Sequence, residues 1–286
     1  MTFPAGQLSL LDSDPPVHQP SADTARLVLF NAQHASPDRS RRQAEWIAGQ
    51  QDADIVVLTE VSSTQGGDAL VTALTERGYA TVIAPQPKTP DYRTVIACRT
   101  PDAQQVESPV TLTPHRAPAA RVTIGGRDIG ILGLYVPSRG PVERRNQAKK
   151  AFQSAVTEAL PKLDSLFPGM PVIVAGDLNV IEPGHQPPHK VFGAWEYDFY
   201  DSFEKAGLTD AFRHLHPEEN AHSWYGHSGN GFRFDHIHLT SSRTARILAC
   251  GYRHEPRESG LSDHAVMTLH LRLTDPEESS KGQIRG

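Results

Sequence analysis

Short apolar runs, rich in β-branched residues, recur along the chain and are separated by turn-forming and polar segments. They fall at 27–30, 55–58, 94–98, 121–124, 129–136, 172–175, 234–239, 245–250 and 265–271, and their length and composition predict strands. Between 143 and 166 the period changes. Ala148, Phe152, Ala155, Val156, Ala159, Leu163 and Leu166 follow a three-and-four spacing, which predicts a helix with one apolar stripe against a sheet. Pro161 predicts a kink or early end in that helix, and Pro141 and Pro168 flank it. Two further helices are expected at 41–50 and 67–77. Many strands, few helices and no regular strand–helix alternation argue against a doubly wound sheet. The expected fold class is α+β, with packed sheets flanked by helices.

Composition sets the boundaries. Residues 1–24 are rich in Pro, Ser and Asp without periodicity, and residues 275–286 are polar, so both are expected to be disordered or mobile tails. The 25–274 body is expected to be one domain. No run approaches the ~20 apolar residues of a membrane span, and no basic segment precedes an apolar leader. A cytoplasmic monomer without a membrane partner is the expectation. Cys98 and Cys250 each lie inside an apolar run and are expected to be buried thiols, a disulfide being the alternative. The net charge of −5 is concentrated in the tails, leaving the body near neutral, so any nucleic-acid contact has to rely on a local basic face.

Polar residues stand where the apolar runs end. Asn31 ends the first and Glu60 follows the second. Tyr135 lies near the end of a later one, Asp177 and Asn179 follow another, Asp235 interrupts 233–239, and Ser262, Asp263 and His264 precede the last. A single strand-end carboxylate is usually a turn former or cap. Six such positions suit loops gathered at one sheet edge into a site. Carboxylates and amides are the hard oxygen donors that Mg²⁺ prefers, while a histidine and a tyrosine provide proton transfer and phosphate contact.

With Gly176-Asp177-Leu178-Asn179, Phe232-Arg233-Phe234-Asp235 and Ser262-Asp263-His264 in this order, the body resembles the endonuclease/exonuclease/phosphatase superfamily. The resemblance implies a four-layer α/β/β/α sandwich of two packed, mainly antiparallel sheets flanked by helices, and phosphoester hydrolysis assisted by one or two divalent ions, Mg²⁺ or Mn²⁺. It implies Glu60 as principal metal ligand with Asn31 and Asp263 near it. Asp177 would hold or deprotonate water, helped by Asn179. His264, oriented by Asp235, would contact the scissile phosphate, and Tyr135 the phosphate or leaving oxygen. Chemically, a phosphodiester repels anionic nucleophiles, so charge neutralisation and a positioned water are required.

The 207–240 segment is most similar to the exonuclease III and abasic-site endonuclease branch, in which the positions of Trp224, Phe232 and Phe234 line a pocket for a sugar without its base. Core packing is the alternative for these aromatics. Gln33, Thr59 and Ser138 depart from that branch's pattern around the metal and after the tyrosine. Arg139, Arg144, Arg145, Lys149 and Lys150 suit a phosphate-backbone track, with a solvated helix face as the alternative for the last four. His115, His185 and His189 are assigned surface or loop roles.

In the N-terminal tail, Gln7, Leu8, Ser9, Leu10 and Leu11 resemble the peptide by which bacterial DNA enzymes dock on the sliding clamp. The leading expectation is a DNA nuclease, 3′ phosphodiesterase or abasic-site endonuclease. The alternatives are a phosphatase or phosphodiesterase for a small metabolite, RNA or lipid head group, and a weakly active DNA-binding or clamp-associated adaptor.

Overall fold

Side-chain alternation in the first apolar run sends Leu27 and Leu29 to one face of a strand and Val28 and Phe30 to the other, and both faces are buried. A strand covered on both sides needs a second sheet on one side and helices on the other, which is what the computed structural model of the chain contains. It describes residues 23–50, 53–140, 143–240 and 245–274. Both expected tails, with the Gln7–Leu11 peptide, lie outside them, except for Asp23 and Thr24, of which Thr24 already belongs to the first strand.

The strands are β1 (Thr24–Asn31), β2 (Ile55–Ser62), β3 (Thr81–Ile83), β4 (Tyr92–Cys98), β5 (Ala103–Val106), β6 (Ala119–Ile124), β7 (Arg127–Tyr135) and β8 (Val172–Asp177). They continue with β9 (Leu208–Asp210), β10 (Trp224–Tyr225), β11 (Gly231–Phe232), β12 (Asp235–Thr240), β13 (Ala245–Arg253) and β14 (Val266–Leu273). The helices are α1 (Pro37–Gly49), α2 (Gln65–Glu76), α3 (Glu143–Ala159), α4 (Leu163–Leu166), α5 (Ala194–Lys205), α6 (Ala211–Leu215) and α7 (Glu255–Glu258).

One six-stranded sheet has the order β13-β14-β1-β2-β4-β3 and the other β5-β6-β7-β8-β12-β9. Each is antiparallel except for one central parallel pair, β1 with β2 and β7 with β8. The inner faces meet in a core that includes Leu27, Leu29, Val57, Ile131, Ile173 and Ile237. Helices α1 and α2 cover the first sheet through Ile47, Leu70 and Leu74, and α3 and α5 cover the second through Phe152, Val156, Phe199 and Phe203. Burying each of these large side chains contributes about 2 kcal/mol. The fold is the expected four-layer α+β sandwich.

Local chemistry sets the element ends. Helix α1 starts earlier than the periodicity predicts because Ser36 caps it, accepting from the Arg39 amide, with a proline in the first turn. Pro161 breaks the 143–166 helix at a 3₁₀ turn, Leu160–Lys162. The buried stripe of α3 also differs from the expected one: Ala148 is exposed, and Lys149 is buried beside Phe152 and Val156. Cys98 and Cys250 are buried free thiols, so the disulfide alternative falls.

Candidate active site

The loops at the ends of β1, β2, β7 and β8 and the segments before β12 and β14 bring the strand-end polar residues together. Parallel pairing sets Tyr135 opposite Asp177, and antiparallel pairing sets Asp235 opposite Asp177 from the other side. Gly176 is required beside them: a Cβ there would lie 1.9 Å from the Leu134 carbonyl oxygen. Glu60 sits in a bulge of β2, where the register with β4 shifts between Leu58 and Val61, and its φ is +51°. The bulge turns its carboxylate out of the ladder. Four of the five described non-glycine residues with positive φ, Gln33, His34, Glu60 and Asn179, surround this site, a clustering typical of functional loops.

The hydrogen bonds form a connected set. His264 Nδ1 lies 2.6 Å from Asp235 Oδ2. Asn31 Nδ2 donates to Asp177 Oδ2 at 3.0 Å and lies 3.5 Å from His264 Nε2. The Asn179 amide donates to Asp177 Oδ1 at 2.9 Å, and its side chain donates to the Val136 carbonyl. Tyr135 donates to Glu60 at 3.0 Å, and Trp224 Nε1 donates to Asp263 at 3.0 Å. Ser262 donates to the Asn31 carbonyl and accepts from the His264 amide, fixing the loop before β14.

Electrostatics follow from this crowding. Burial, reinforced by Asp235 and Glu60, raises the Asp177 pKa well above the carboxylate range, against the opposing pull of His264. For His264 burial works against the charged form, but Asp235 outweighs it and raises the pKa to about 10. The imidazolium is therefore the neutral-pH form. Burial, with Glu60 and Asp177 nearby, keeps the Tyr135 phenol protonated as a donor.

Glu60, Asn179, Asp263 and His264 line one cavity of about 410 Å³, together with Ser138, Arg139, Val191, Phe192, Trp224, Phe232 and Phe234. The three expected aromatics are half-buried against one another, with Trp224–Phe234 and Phe232–Phe234 centroids 5.7 and 5.1 Å apart, and they stay outside the hydrophobic cores. Phe192, which the sequence reading missed, meets Phe232 and Phe234 edge-on.

The donor set suits a divalent cation. Glu60 and Asp263 offer carboxylates to the same cavity, and Asp263 Oδ1 is buried without a hydrogen-bond partner. The Asn31 Oδ1 accepts from the Gln33 amide and retains a second lone pair. Asp177, Asp235 and His264 form a tighter group whose ligand atoms lie within 4.8 Å of one another. In that group the His264–Asp235 contact already uses one atom of each, so the Glu60 and Asp263 side fits a cation better.

One expectation is overturned, and other residues have partners that the sequence alone does not show. Lys149 is not on a phosphate track or a solvated face: it is buried and donates to the Asn179 carbonyl and to Glu196. Arg139 borders the cavity, but its guanidinium also pairs with Glu196 and with the Val191 carbonyl. Gln33 turns its side-chain oxygen to Arg39. His185 is buried and accepts from the Arg233 amide, His115 pairs with Asp91, and His189 stacks on Phe232. Asp91 also binds Arg116, whose guanidinium lies 4.7 Å from the centroid of the Tyr135 ring.

Against this geometry, the model of the Endonuclease/Exonuclease/phosphatase family matches residues 28–277. The chain belongs to this family. It is 24% identical over 157 residues to an exodeoxyribonuclease of Bacillus subtilis, covering 50% of this chain and 61% of that protein. It is 27% identical over 183 residues to a DNA-(apurinic or apyrimidinic site) endonuclease of Arabidopsis thaliana, covering 51% and 49%. The matches thus span about half to three-fifths of these relatives. Among solved structures, a 3′ phosphatase from Neisseria bound to product DNA hairpin is similar with a TM-score of 0.69 and 21% identity, covering 86% of this chain and 98% of that one.

Proposed function

We propose that this protein is a divalent-metal-dependent phosphodiesterase of DNA, acting at abasic sites or blocked 3′ ends. One observation carries the reading: Glu60, Asp263 and His264, spread over 205 positions of the chain, line one cavity with Trp224, Phe232 and Phe234, and Asp235 and Asp177 are hydrogen-bonded behind it to His264 and to Asn31 and Asn179. A carboxylate cluster beside an aromatic wall suits a phosphate with a sugar attached. DNA as the polymer is supported by the exodeoxyribonuclease and abasic-site endonuclease relatives.

Glu60 and Asp263, with Asn31, would hold Mg²⁺ or Mn²⁺, which when bound supplies charge neutralisation at the phosphate. Cationic His264 donates from Nε2 to a non-bridging phosphate oxygen, its ring fixed by Asp235 through Nδ1. Asp177 accepts a proton from the attacking water, its oxygens aimed by the side chain of Asn31 and the backbone amide of Asn179. Asn31 and Asn179 hold that carboxylate from two sides. Tyr135, a protonated donor held against Glu60, would contact the phosphate or the leaving oxygen from that side. The new P–O bond comes from the water, and the phosphate–oxygen bond to the sugar breaks.

The test is a substrate panel with Mg²⁺ or Mn²⁺: abasic, nicked and 3′-phosphate-terminated duplexes beside mononucleotides and inositol phosphates. Turnover confined to the DNA arms is expected. Turnover of only the small phosphoesters would replace DNA with a small-molecule substrate and retain the chemistry.

A further inference from the structure

Beneath the proposed catalytic turn lies a buried ion pair. Lys149 of α3 and Glu196 of α5 are both fully buried, with Nζ 2.5 Å from Oε1. The same ammonium donates to the Asn179 carbonyl at 2.7 Å. Asn179 has a φ of +49°, and its amide holds Asp177 Oδ1. The other Glu196 oxygen accepts from Arg139 at 2.8 Å and from the Gly193 amide at 2.9 Å, so one carboxylate ties together both helices and a residue that lines the cavity. Phe192 and Trp195 enclose the ammonium, their ring centroids 5.6 and 5.8 Å from Nζ.

Such a pair is a poor source of stability. Desolvating two charges costs about as much as their attraction returns, and apolar residues of similar volume often serve packing as well or better. What apolar residues cannot do is donate to the Asn179 carbonyl or orient the Arg139 guanidinium. Asparagine tolerates a positive φ, so the place of this turn is set by what holds it, and Lys149 supplies one of those restraints.

We infer that Lys149 and Glu196 are positioning residues: Lys149 fixes the Asp177–Asn179 turn, and Glu196 fixes both Lys149 and the Arg139 side chain that lines the cavity. Neither touches the reacting atoms. The inference builds on the hydrolase reading, in which a displacement of about 1 Å at the water-activating carboxylate lowers turnover about 100-fold.

The experiment uses the full chain with Lys149→Met, Glu196→Gln and the double variant, which leaves no buried charge unpaired at this site except through Arg139. The readouts are kcat and KM on abasic and 3′-phosphate-terminated duplexes with Mg²⁺, and ¹H–¹⁵N resonances of Asn179. Lys149→Met is expected to lower kcat about 100-fold and to move both Asn179 amide signals. Glu196→Gln is expected to raise KM about tenfold as well, through Arg139. The double variant should fold and melt within a few degrees of the parent yet keep the kcat defect. A folded double variant with parental kcat and KM and unmoved Asn179 signals would overturn the inference. If the parent protein turns over none of the DNA substrates, the proposed function falls, and the Asn179 signals alone decide whether Lys149 restrains the turn.

Discussion

His264 Nδ1 stands 2.6 Å from Asp235 Oδ2, with both side chains closed to solvent. Asp235 raises the histidine pKa from 6.5 to about 10 against the effect of burial, so the pair's contribution to stability is full below pH 6.5 and is lost as pH rises through about 10. Asp235→Asn is expected to lower the His264 pKa, read by NMR titration of the ring protons, and to flatten the alkaline limb of the stability curve. Turnover should drop by about 10²–10⁴, the range of a lost acid–base partner. A titration midpoint unchanged from the parent would show that Asp235 does not charge the ring.

At the opposite pH extreme, Asp91 is the group to watch. Burial raises its pKa, but hydrogen bonds from Arg116 and His115 prevail and lower it to about 2. The stability it adds is therefore present above pH 3.8 and disappears as pH falls through about 2. Asp91→Asn should cost about 1 kcal/mol at pH 7, a figure discounted for partial exposure. It should cost almost nothing near pH 2. Urea midpoints at the two pH values measure the difference, and an equal loss at both would assign the effect to packing.

Trp224 supplies an aromatic face to the cavity and an indole N–H to Asp263. Trp224→Phe keeps the first and removes the second, whereas Phe234→Ala removes a wall and leaves the Asp263 contact intact. The expected outcomes separate: the first variant requires a different Mg²⁺ concentration for half-maximal rate, and the second raises KM for abasic DNA. Identical kinetic profiles for the two would dissolve that division.

The backbone contact beneath Asp177 is equally specific. With a Cβ at position 176 only 1.9 Å from the Leu134 carbonyl oxygen, Gly176→Ala has to push β7 and β8 apart. A loss of about 3 kcal/mol is expected by chemical denaturation. A loss below about 0.5 kcal/mol would mean the strands accommodate the methyl freely.

Much of this architecture was legible because buried strands advertise themselves as β-branched runs, and because polar residues at their ends fit no structural need as a group. Asn31, Glu60, Asp177, Asp235 and His264 stood out for that reason. Helix α5 did not: its Trp195, Tyr197, Phe199 and Tyr200 favour strands locally, and packing of Phe199 and Phe203 on the second sheet overrides that preference. The bulge at Glu60 leaves no sequence mark, since positive φ in a glutamate is imposed by its surroundings. Lys149 read as solvent-facing because lysine is rarely buried without a partner, and its partner lies 47 residues away in the unforeseen helix. Long-range pairs of this kind become visible only when the fold is.

The central claim is that Glu60 and His264, from opposite ends of the chain, serve one metal-dependent hydrolysis. It is tested most directly by the rate of Mg²⁺-dependent cleavage of an abasic duplex by the parent, Glu60→Ala and His264→Ala proteins, each verified as folded and freed of metal beforehand. Predicted is cleavage by the parent that depends on added Mg²⁺ and falls at least about 100-fold in each variant. Parental rates in either folded variant, or parental cleavage without any divalent ion, would contradict the account.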